Sequence, residues 1–506
     1  MDVGTCEHWV ADSPPGLSVR ADPGLPRCVA PPWRALAIHG IAAAALLVAL
    51  IVGIAPRLPF GLDRCSGPVL GLIVAAGLTG LAYPELALPL VIIGAGLIDS
   101  QLGGDRVRHL VFVKLALFAC AGLGIIASTL RGKGRFVRAR TPADLPALLL
   151  LGYTALSAAW GILVAGHDAY SVAIAGYQLS QLALYHFLVT TTLSRPHSFR
   201  RAGIIVIGWS LLWVVPSLLT AGRGGGTATT WLIVFICYAM APRSRWATVA
   251  WAALPIALLD TLTCGYRTLW VSVAGQLSWL AGIGFSAQPR RLRSLALALL
   301  ILCALGAALA VARPSLLAPL PAADTLSRFA SSLTDGGYRL PEALIGLAAF
   351  RENPLFGRSV GYHTSPVWVQ TMGYMPVGPI YHVFYVGYLA NEGLIGLGLV
   401  LWYFAAVLLS RDAVATRRRA SADRWAAVGV GLQAALFGAI LGAFLSGPTD
   451  GHWTWGVFGA AALLPAATRV FATRGCEGCP ARDRQMGQTP PHAAHLPSVR
   501  ASCGNA

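Results

Sequence analysis

Charged side chains are scarce in this sequence, and acidic side chains are the scarcest of them. Asp, Glu, Lys and Arg make up 12% of its 506 residues, with 21 acidic against 38 basic, whereas a soluble globular domain carries about 25% charged residues. Hydrophobic residues account for 56%, and apolar runs of about 18 residues or more recur along the chain. This balance excludes an ordinary soluble protein and predicts an all-α membrane protein.

The apolar runs predict a polytopic helical bundle of 12–14 transmembrane helices, with one large outer loop that contains short helices. The candidate spans lie near 35–55, 68–83, 86–99, 109–130, 145–166, 171–193, 203–221, 228–241, 246–263, 267–285, 294–312, 382–410, 425–446 and 453–472. The predicted regions are a tail at 1–34, a transmembrane bundle at 35–312, the long loop at 313–381, a second group of spans at 382–472 and a disordered tail at 473–506.

The basic residues predict the orientation of the chain. With the N-terminus inside, the inner loops hold 18 Lys and Arg and the short outer loops hold 6, which the positive-inside rule favours strongly. We therefore expect a cytoplasmic membrane protein with both termini in the cytoplasm and residues 313–381 on the outer face. The net charge of +17 follows from these topology signals, and no nucleic-acid partner is expected.

Signals for metal and cofactor chemistry are missing. The outer loops contain no Asp-x-Asp pair, which disfavours a sugar-nucleotide transferase that uses a divalent cation. Asp450 and His452 lack the spacing of metal ligands. Cys476 and Cys479 form a single C-x-x-C in the tail, which without a second pair is weak support for zinc. We expect no metal and no cofactor.

Three motifs place polar residues at the predicted outer ends of spans. They are Tyr266-Arg267-Thr268-Leu269, Arg339 followed by Asn353-Pro354-Leu355-Phe356-Gly357, and His382 followed by Gly393 and Gly396. A charge is costly in hydrocarbon, so such residues usually line a cavity or pair with each other. Their common side indicates a polar site that opens outward.

In order, spacing and side, these motifs resemble the O-antigen ligase and O-antigen polymerase superfamily of bacterial envelope glycan assembly. The resemblance covers roughly residues 200–446, and the earlier spans agree with the family in hydropathy alone. Val383 follows His382 here, where ligases of that family typically carry Asn, Ser or Gln. Ligase and polymerase therefore both stay open.

The resemblance implies metal-independent transfer of a glycan from an undecaprenyl-diphosphate carrier to an acceptor hydroxyl. The implied partners are a lipid-linked oligosaccharide donor, a glycan or lipid acceptor, and the membrane. Guanidinium groups suit a pyrophosphate leaving group because their planar fork of donors matches phosphate oxygens, and histidine suits proton removal from a hydroxyl. We expect Arg267 and Arg339 to bind the pyrophosphate and His382 to act as base or to orient the acceptor.

The secondary candidates for substrate binding are Arg223, Tyr338, Tyr385 and Glu392. Arg223 lies in a Gly-rich stretch that favours a flexible turn over an anion cradle. Tyr385 carries the amphipathic ring typical of a membrane interface. On a continuous helix Glu392 lies about 15 Å deeper than His382, so a pair with another buried polar group is the favoured interpretation for it.

The two glycines after His382 admit two interpretations. On a continuous helix Gly393 and Gly396 lie within about 40° of His382 in projection. They form either a groove for the polyprenyl tail or a surface for close helix–helix packing through small residues. Close packing is the favoured interpretation.

Two function classes stay open at this point. One is a membrane glycosyltransferase, and the other is a transporter or flippase of a lipid-linked glycan or small solute. Transporters usually place polar residues near the bilayer midplane and show repeated halves, whereas this sequence has no clear internal repeat and its polar cluster lies at the outer rim. A non-catalytic assembly subunit is a weaker third class. The sequence favours the glycosyltransferase.

Overall fold

A computed structural model describes residues 139–167, 169–195, 267–282, 339–362, 384–420, 423–444 and 454–467, with scattered positions at 75–89, 118–125, 198–206 and at 234 and 237. This part of the chain is helical and contains no strand. Its helices are α1 (Asp144–Leu163), α2 (Ala169–Thr192), α3 (Arg267–Gly282), α4 (Arg339–Glu352), α5 (Phe384–Leu409), α6 (Arg411–Arg419), α7 (Arg424–Gly442) and α8 (Thr454–Ala467).

Four segments among the described residues are helical, long and apolar enough to cross a membrane. They correspond to α1, α2, α5 together with α6, and α7, and α8 is a shorter apolar helix. The predicted all-α fold is therefore confirmed for this part of the chain, and its four long apolar helices are compatible with a membrane protein. The count of 12–14 spans, the orientation with both termini in the cytoplasm and the five predicted regions stay predictions.

Helices α1 and α2 differ in how much of their surface the fold covers. Helix α1 buries the stripe Ala147, Leu150, Thr154, Ser157 and Gly161, whose spacing of three or four residues keeps them on one face. Its opposite face exposes Leu156 and Leu163, at 72% and 82%. Helix α2 is largely buried. A helix with one apolar exposed face suits the boundary with lipid, and α2 belongs to the core.

Helices α3 and α7 pack closely and run in opposite directions. A Cβ at Gly438 would lie 2.2 Å from the carbonyl oxygen of Ser272, and one at Gly275 would lie 2.8 Å from Leu441. Farther along, the rings of Trp279 and Phe437 stand 4.9 Å apart. Glycine permits this approach because no side chain separates the two backbones, a common means of helix association in membranes.

Residues 411–424, predicted as an inner loop, contain helix α6. The Ser410 side chain caps α6 by accepting from the Ala413 N–H at 3.2 Å. Arg417 turns inward and donates to the Leu408 carbonyl at 2.7 Å and to Gln433 at 3.2 Å. The sequence predicted a loop here because α6 is rich in arginine, which is typical of a cytoplasmic loop, and because α6 contains no long apolar run.

The α3–α7 contact predicts a strong size limit at Gly438. We expect Gly438→Leu to lower stability by about 1–3 kcal/mol or more, because the added side chain meets the Ser272 carbonyl and the Gln276 side chain. Gly398→Leu on α5 is the matched control, since nothing lies within 4 Å of a Cβ there. Thermal unfolding of the detergent-purified protein measures both. Equal midpoints for the two variants would contradict the packing.

Candidate functional site

Helix α5 is interrupted at Gly393. Its φ of 64° and ψ of −158° lie in a region that is essentially restricted to glycine. The interruption removes intrahelical partners from backbone groups on both sides of Gly393. Inside a membrane such groups must be satisfied by protein, because the hydrocarbon offers no hydrogen bonds. The sequence prediction of a continuous helix over this span is therefore wrong at this residue.

The missing partners come from residues 353–361, here called the docked segment. Leu394 donates to the Pro354 carbonyl at 2.9 Å and Ile395 to the Leu355 carbonyl at 3.3 Å. In the other direction the Arg358 N–H donates to the Ala390 carbonyl at 2.8 Å. Three backbone hydrogen bonds thus join the docked segment to both halves of α5.

Two glycines allow this close approach. Gly357 has φ 69°, and a Cβ on it would lie 2.5 Å from the Asn391 carbonyl carbon. A Cβ on Gly393 would lie 2.4 Å from the Leu355 carbonyl oxygen. The Asn-Pro-Leu-Phe-Gly motif and the first glycine of Gly-x-x-Gly are therefore two sides of one contact.

The structure also answers the question of a groove at Gly393 and Gly396. Gly393 is covered by the docked segment, and a Cβ at Gly396 would lie 2.5 Å from Oε2 of Glu392. Both positions are filled by protein atoms, which leaves no room for a lipid tail along them. The favoured interpretation, close packing between helices, is not what these two glycines do, because Gly393 packs on a loop segment and Gly396 on a side chain of its own helix.

Glu392 lies at the interruption and is fully buried. Thr154 of α1 donates to its Oε1 at 2.6 Å, and the Tyr153 hydroxyl donates to its backbone carbonyl at 3.0 Å. The expected pair with another buried polar group is therefore confirmed. Its Oε2 and the Oδ1 of Asn391 have no hydrogen-bond partner among the described residues. Whether Glu392 binds substrate stays a prediction.

Helix α1 holds the docked segment from the side. The Val360 N–H donates to Ser157 Oγ at 3.1 Å, and a Cβ at Gly161 would lie 2.5 Å from the Val360 carbonyl oxygen. His167 Nε2 lies 3.4 Å from the Arg358 carbonyl oxygen. These contacts bury residues 357 and 359–361 against the helices, and the location of 313–381 on the outer face stays a prediction.

Arg358 is partly covered by neighbouring residues, with 38% of its side chain exposed. It forms an ion pair with Glu352, and its guanidinium lies 5.5 Å from the centre of the Tyr362 ring. Its Nε is buried without a hydrogen-bond partner among the described residues. Arg351, seven residues earlier, is exposed.

The structure describes some of the predicted site residues and not others. Arg267 is the first residue of α3 and Arg339 the first residue of α4. Tyr385 donates its hydroxyl to the Ile440 carbonyl at 2.9 Å, and its ring stands 4.4 Å from Phe444. His382, Arg223 and Tyr338 lie outside the described residues. The roles assigned to all of these residues stay predictions.

Helices α3 and α5 both begin near the same end of α7. Because α3 and α7 are antiparallel, Arg267 lies toward the end of α7 that carries Phe444. Tyr385, in the first turn of α5, packs on that same end of α7. The first turns of α3 and α5 thus lie at one end of the bundle.

Sequence reasoning missed the polar face of α1. Tyr153, Thr154 and Ser157 look like minor interruptions in an apolar span, yet each bonds the docked segment or the interruption in α5. Thr154, Ser157 and Gly161 recur at helical spacing, which is the signal that indicates a packed polar face.

The interruption predicts a penalty for any side chain at Gly393. We expect Gly393→Ala to cost about 1–3 kcal/mol from the backbone conformation alone, with more from the contact with the Leu355 carbonyl. Gly398→Ala, which adds the same methyl group in open space on the same helix, should change the thermal midpoint little. If both variants unfold at the same temperature, the interruption is not a feature of the folded protein.

Comparison with known proteins adds no relative. No protein-family model matches this chain, and a search of curated proteins gives no match. The contact between residues 353–358 and 390–395 joins two of the three sequence motifs into one structural unit.

Proposed function

We propose that this protein is a membrane glycosyltransferase of the O-antigen ligase or polymerase type. It would transfer glycan from an undecaprenyl-diphosphate carrier to an acceptor hydroxyl at the outer face of the cytoplasmic membrane. The observation that carries the proposal is the contact between the docked segment and Gly393. Two motifs that stand some 35 residues apart in the sequence serve one structural purpose here, which favours a common functional unit.

The packing of α4 supports a common location for the proposed catalytic groups. Ala349 of α4 packs on Val386 and Ala390, which lie in the first two turns of α5, and five residues later the Pro354 carbonyl accepts from Leu394. Helix α4, which begins at Arg339, therefore contacts the part of α5 that follows His382.

The start of α3 supports the same location. Arg267 opens α3 at the end of α7 on which the first turn of α5 packs. The starts of α3 and α5 lie at one end of the bundle, and α4 packs on the first two turns of α5. We propose that Arg267, Arg339 and His382 meet at this end, where two guanidinium groups could bind the oxygens of a diphosphate bidentately.

In the reaction that we propose, His382 is the base and the two arginines bind the leaving group. The acceptor hydroxyl attacks the anomeric carbon of the donor glycan, and His382 accepts the hydroxyl proton. The bond between the anomeric carbon and the pyrophosphate oxygen breaks, and its electron pair leaves with the carrier diphosphate. Arg267 and Arg339 stabilise the negative charge that develops on that group, which is the largest electrostatic change in the reaction.

A transporter is the second candidate, and the same interruption favours it. Discontinuous helices with buried polar groups near the bilayer midplane form the binding sites of many secondary transporters. Glu392 is a fully buried carboxyl group at such an interruption. In a transporter Glu392 would bind the cargo or a coupling ion, whereas in the proposed enzyme it holds the fold together through Thr154.

Single-residue variants of the purified protein test the proposal. With a lipid-diphosphate oligosaccharide donor and a glycan acceptor, we expect His382→Ala, Arg267→Ala and Arg339→Ala each to lower turnover by about 100-fold or more. Arg351→Ala is the matched control, since Arg351 is an exposed arginine on the same helix as Arg339, and it should keep normal turnover. Product length separates ligation from polymerisation.

The opposite result identifies the transporter. If no glycan transfer occurs with wild-type protein, while proteoliposomes move lipid-linked glycan or solute and Glu392→Gln stops that movement, the glycosyltransferase proposal is wrong. If the three variants and Arg351→Ala all transfer glycan at the wild-type rate, the proposed catalytic residues are wrong even if the reaction is right.

A further inference from the structure

A second polar cluster lies between α1, α2, α5 and α8, and the proposed reaction does not use it. His186 of α2 is fully buried. Its Nε2 lies 2.9 Å from Oδ1 of Asp144, and its Nδ1 lies 3.1 Å from the Tyr403 hydroxyl. Thr141 donates to the same Asp144 oxygen at 2.7 Å. Both imidazole nitrogens therefore have polar partners.

The Asp144 contact fixes the proton on one nitrogen. An ionised carboxylate can only accept hydrogen bonds, so Nε2 of His186 must carry a hydrogen. The Nδ1 contact is different, because a hydroxyl can donate or accept. With neutral His186 the Tyr403 hydroxyl donates to Nδ1, and with charged His186 the Nδ1–H donates to the Tyr403 oxygen.

The Tyr403 hydroxyl has a second hydrogen-bond acceptor within reach. The Gly456 carbonyl of α8 lies 3.4 Å from the Tyr403 hydroxyl oxygen. A Cβ at Gly459, on the same helix, would lie 2.5 Å from that oxygen. Glycine at this position allows the hydroxyl to rest against α8. When His186 is charged, the hydroxyl hydrogen is released from Nδ1 and can bond Gly456.

The ionisable groups around His186 leave Asp144 as its charged neighbour on these helices. Helix α8 has no ionisable side chain, and the ionisable residues of α5 are Tyr385, Tyr388, Tyr403 and the distant Glu392. On α1 the other ionisable residue is Tyr153, and on α2 the ionisable residues besides His186 are tyrosines. Arg140, just before α1, is exposed. The Asp144 side chain is 21% exposed, which gives protons a route from solvent to the buried imidazole.

We propose that Asp144, His186 and Tyr403 form a buried proton-binding site that controls how firmly α8 is held. Uptake of a proton at Nδ1 of His186 turns the Tyr403 hydroxyl from the imidazole to the Gly456 carbonyl. The charged imidazole is balanced by the Asp144 carboxylate, and every donor keeps an acceptor in both states. Histidine is the side chain whose charge ordinarily changes near neutral pH, so acidification tightens the α5–α8 contact.

This site is separate from the proposed reaction. Tyr403 comes 19 residues after Phe384 on α5, which corresponds to roughly 28 Å along a helix. The proposed catalytic end of α5 and the proton site therefore lie far apart, and neither proposal depends on the other.

Hydrogen exchange of the full-length protein in detergent tests the site. After correction for the intrinsic pH dependence of exchange, we expect α8 amides to be about fivefold better protected at pH 5.5 than at pH 8, the effect of one added hydrogen bond. Peptides from α7 serve as the internal control, because α7 supplies none of the hydrogen bonds described for His186, and their corrected protection should not change with pH.

Two variants separate proton binding from simple packing. His186→Gln keeps one donor and one acceptor but cannot gain a charge, so the pH dependence of α8 protection should vanish. Tyr403→Phe removes the hydroxyl and should give weak α8 protection at both pH values. If His186→Gln does not fold, Asp144→Asn replaces it and should move the transition to lower pH.

Several outcomes overturn the proposal. Equal α8 protection at both pH values in the wild type, weaker protection at the acid pH, or an unchanged pH dependence in His186→Gln each shows that His186 does not control α8. Loss of the pH dependence in His186→Gln together with its presence in the wild type supports the site.

Discussion

The requirement that every backbone polar group inside a bilayer find a partner in the protein governs the described part of this fold. An unsatisfied N–H or carbonyl in hydrocarbon costs several kcal/mol, and the interruption at Gly393 creates such groups in the middle of an apolar helix. The docked segment supplies acceptors to Leu394 and Ile395 and a donor to Ala390. Residues 353–361 are therefore needed for the structure of α5, since α5 lacks those partners without them.

The docked segment meets the same requirement for its own backbone. The Asn353 carbonyl accepts from Gly357, the carbonyls of Pro354 and Leu355 accept from α5, and the Phe356 carbonyl accepts from Tyr153. Pro354 has no N–H to satisfy. Leu355 and Phe356 meanwhile expose 56% and 55% of their surface, which suits contact with acyl chains. Its polar backbone faces protein and its apolar side chains face outward.

The sequence predicts the helices of this protein well and their irregularity poorly. Hydropathy and length locate α1, α2, α3, α5 and α7 within a few residues, because a spanning helix needs a long apolar run and little else. The same measure cannot detect a change of φ at one glycine. The partners of the interruption come from a segment some 35 residues earlier, and periodicity within a helix carries no information about them.

For individual site residues, the sequence likewise predicted the kind of contact but not the residue that makes it. Glu392 was expected to pair with a buried polar group because a lone carboxyl is costly in hydrocarbon, and Thr154 provides that pair. The identity of Thr154 did not follow, since one threonine in an apolar span is common. The docking of the Arg358 backbone on Ala390 brings its side chain against Tyr362, a contact that the sequence alone does not indicate.

Two of the polar contacts that attach helix α5 to its neighbours differ in kind. At Gly393 the contact is made by backbone groups, whose hydrogen-bond directions cannot reverse, so this attachment has one state. At Tyr403 the contact is made by a hydroxyl between an imidazole and a carbonyl, and a hydroxyl can exchange donor and acceptor roles. A rigid attachment near the proposed catalytic end and a reversible one near α8 suit a helix that must keep a site fixed while a neighbouring helix adjusts. The conformational freedom of this bundle is therefore expected at α8, and its catalytic geometry at the start of α5 is expected to stay constant.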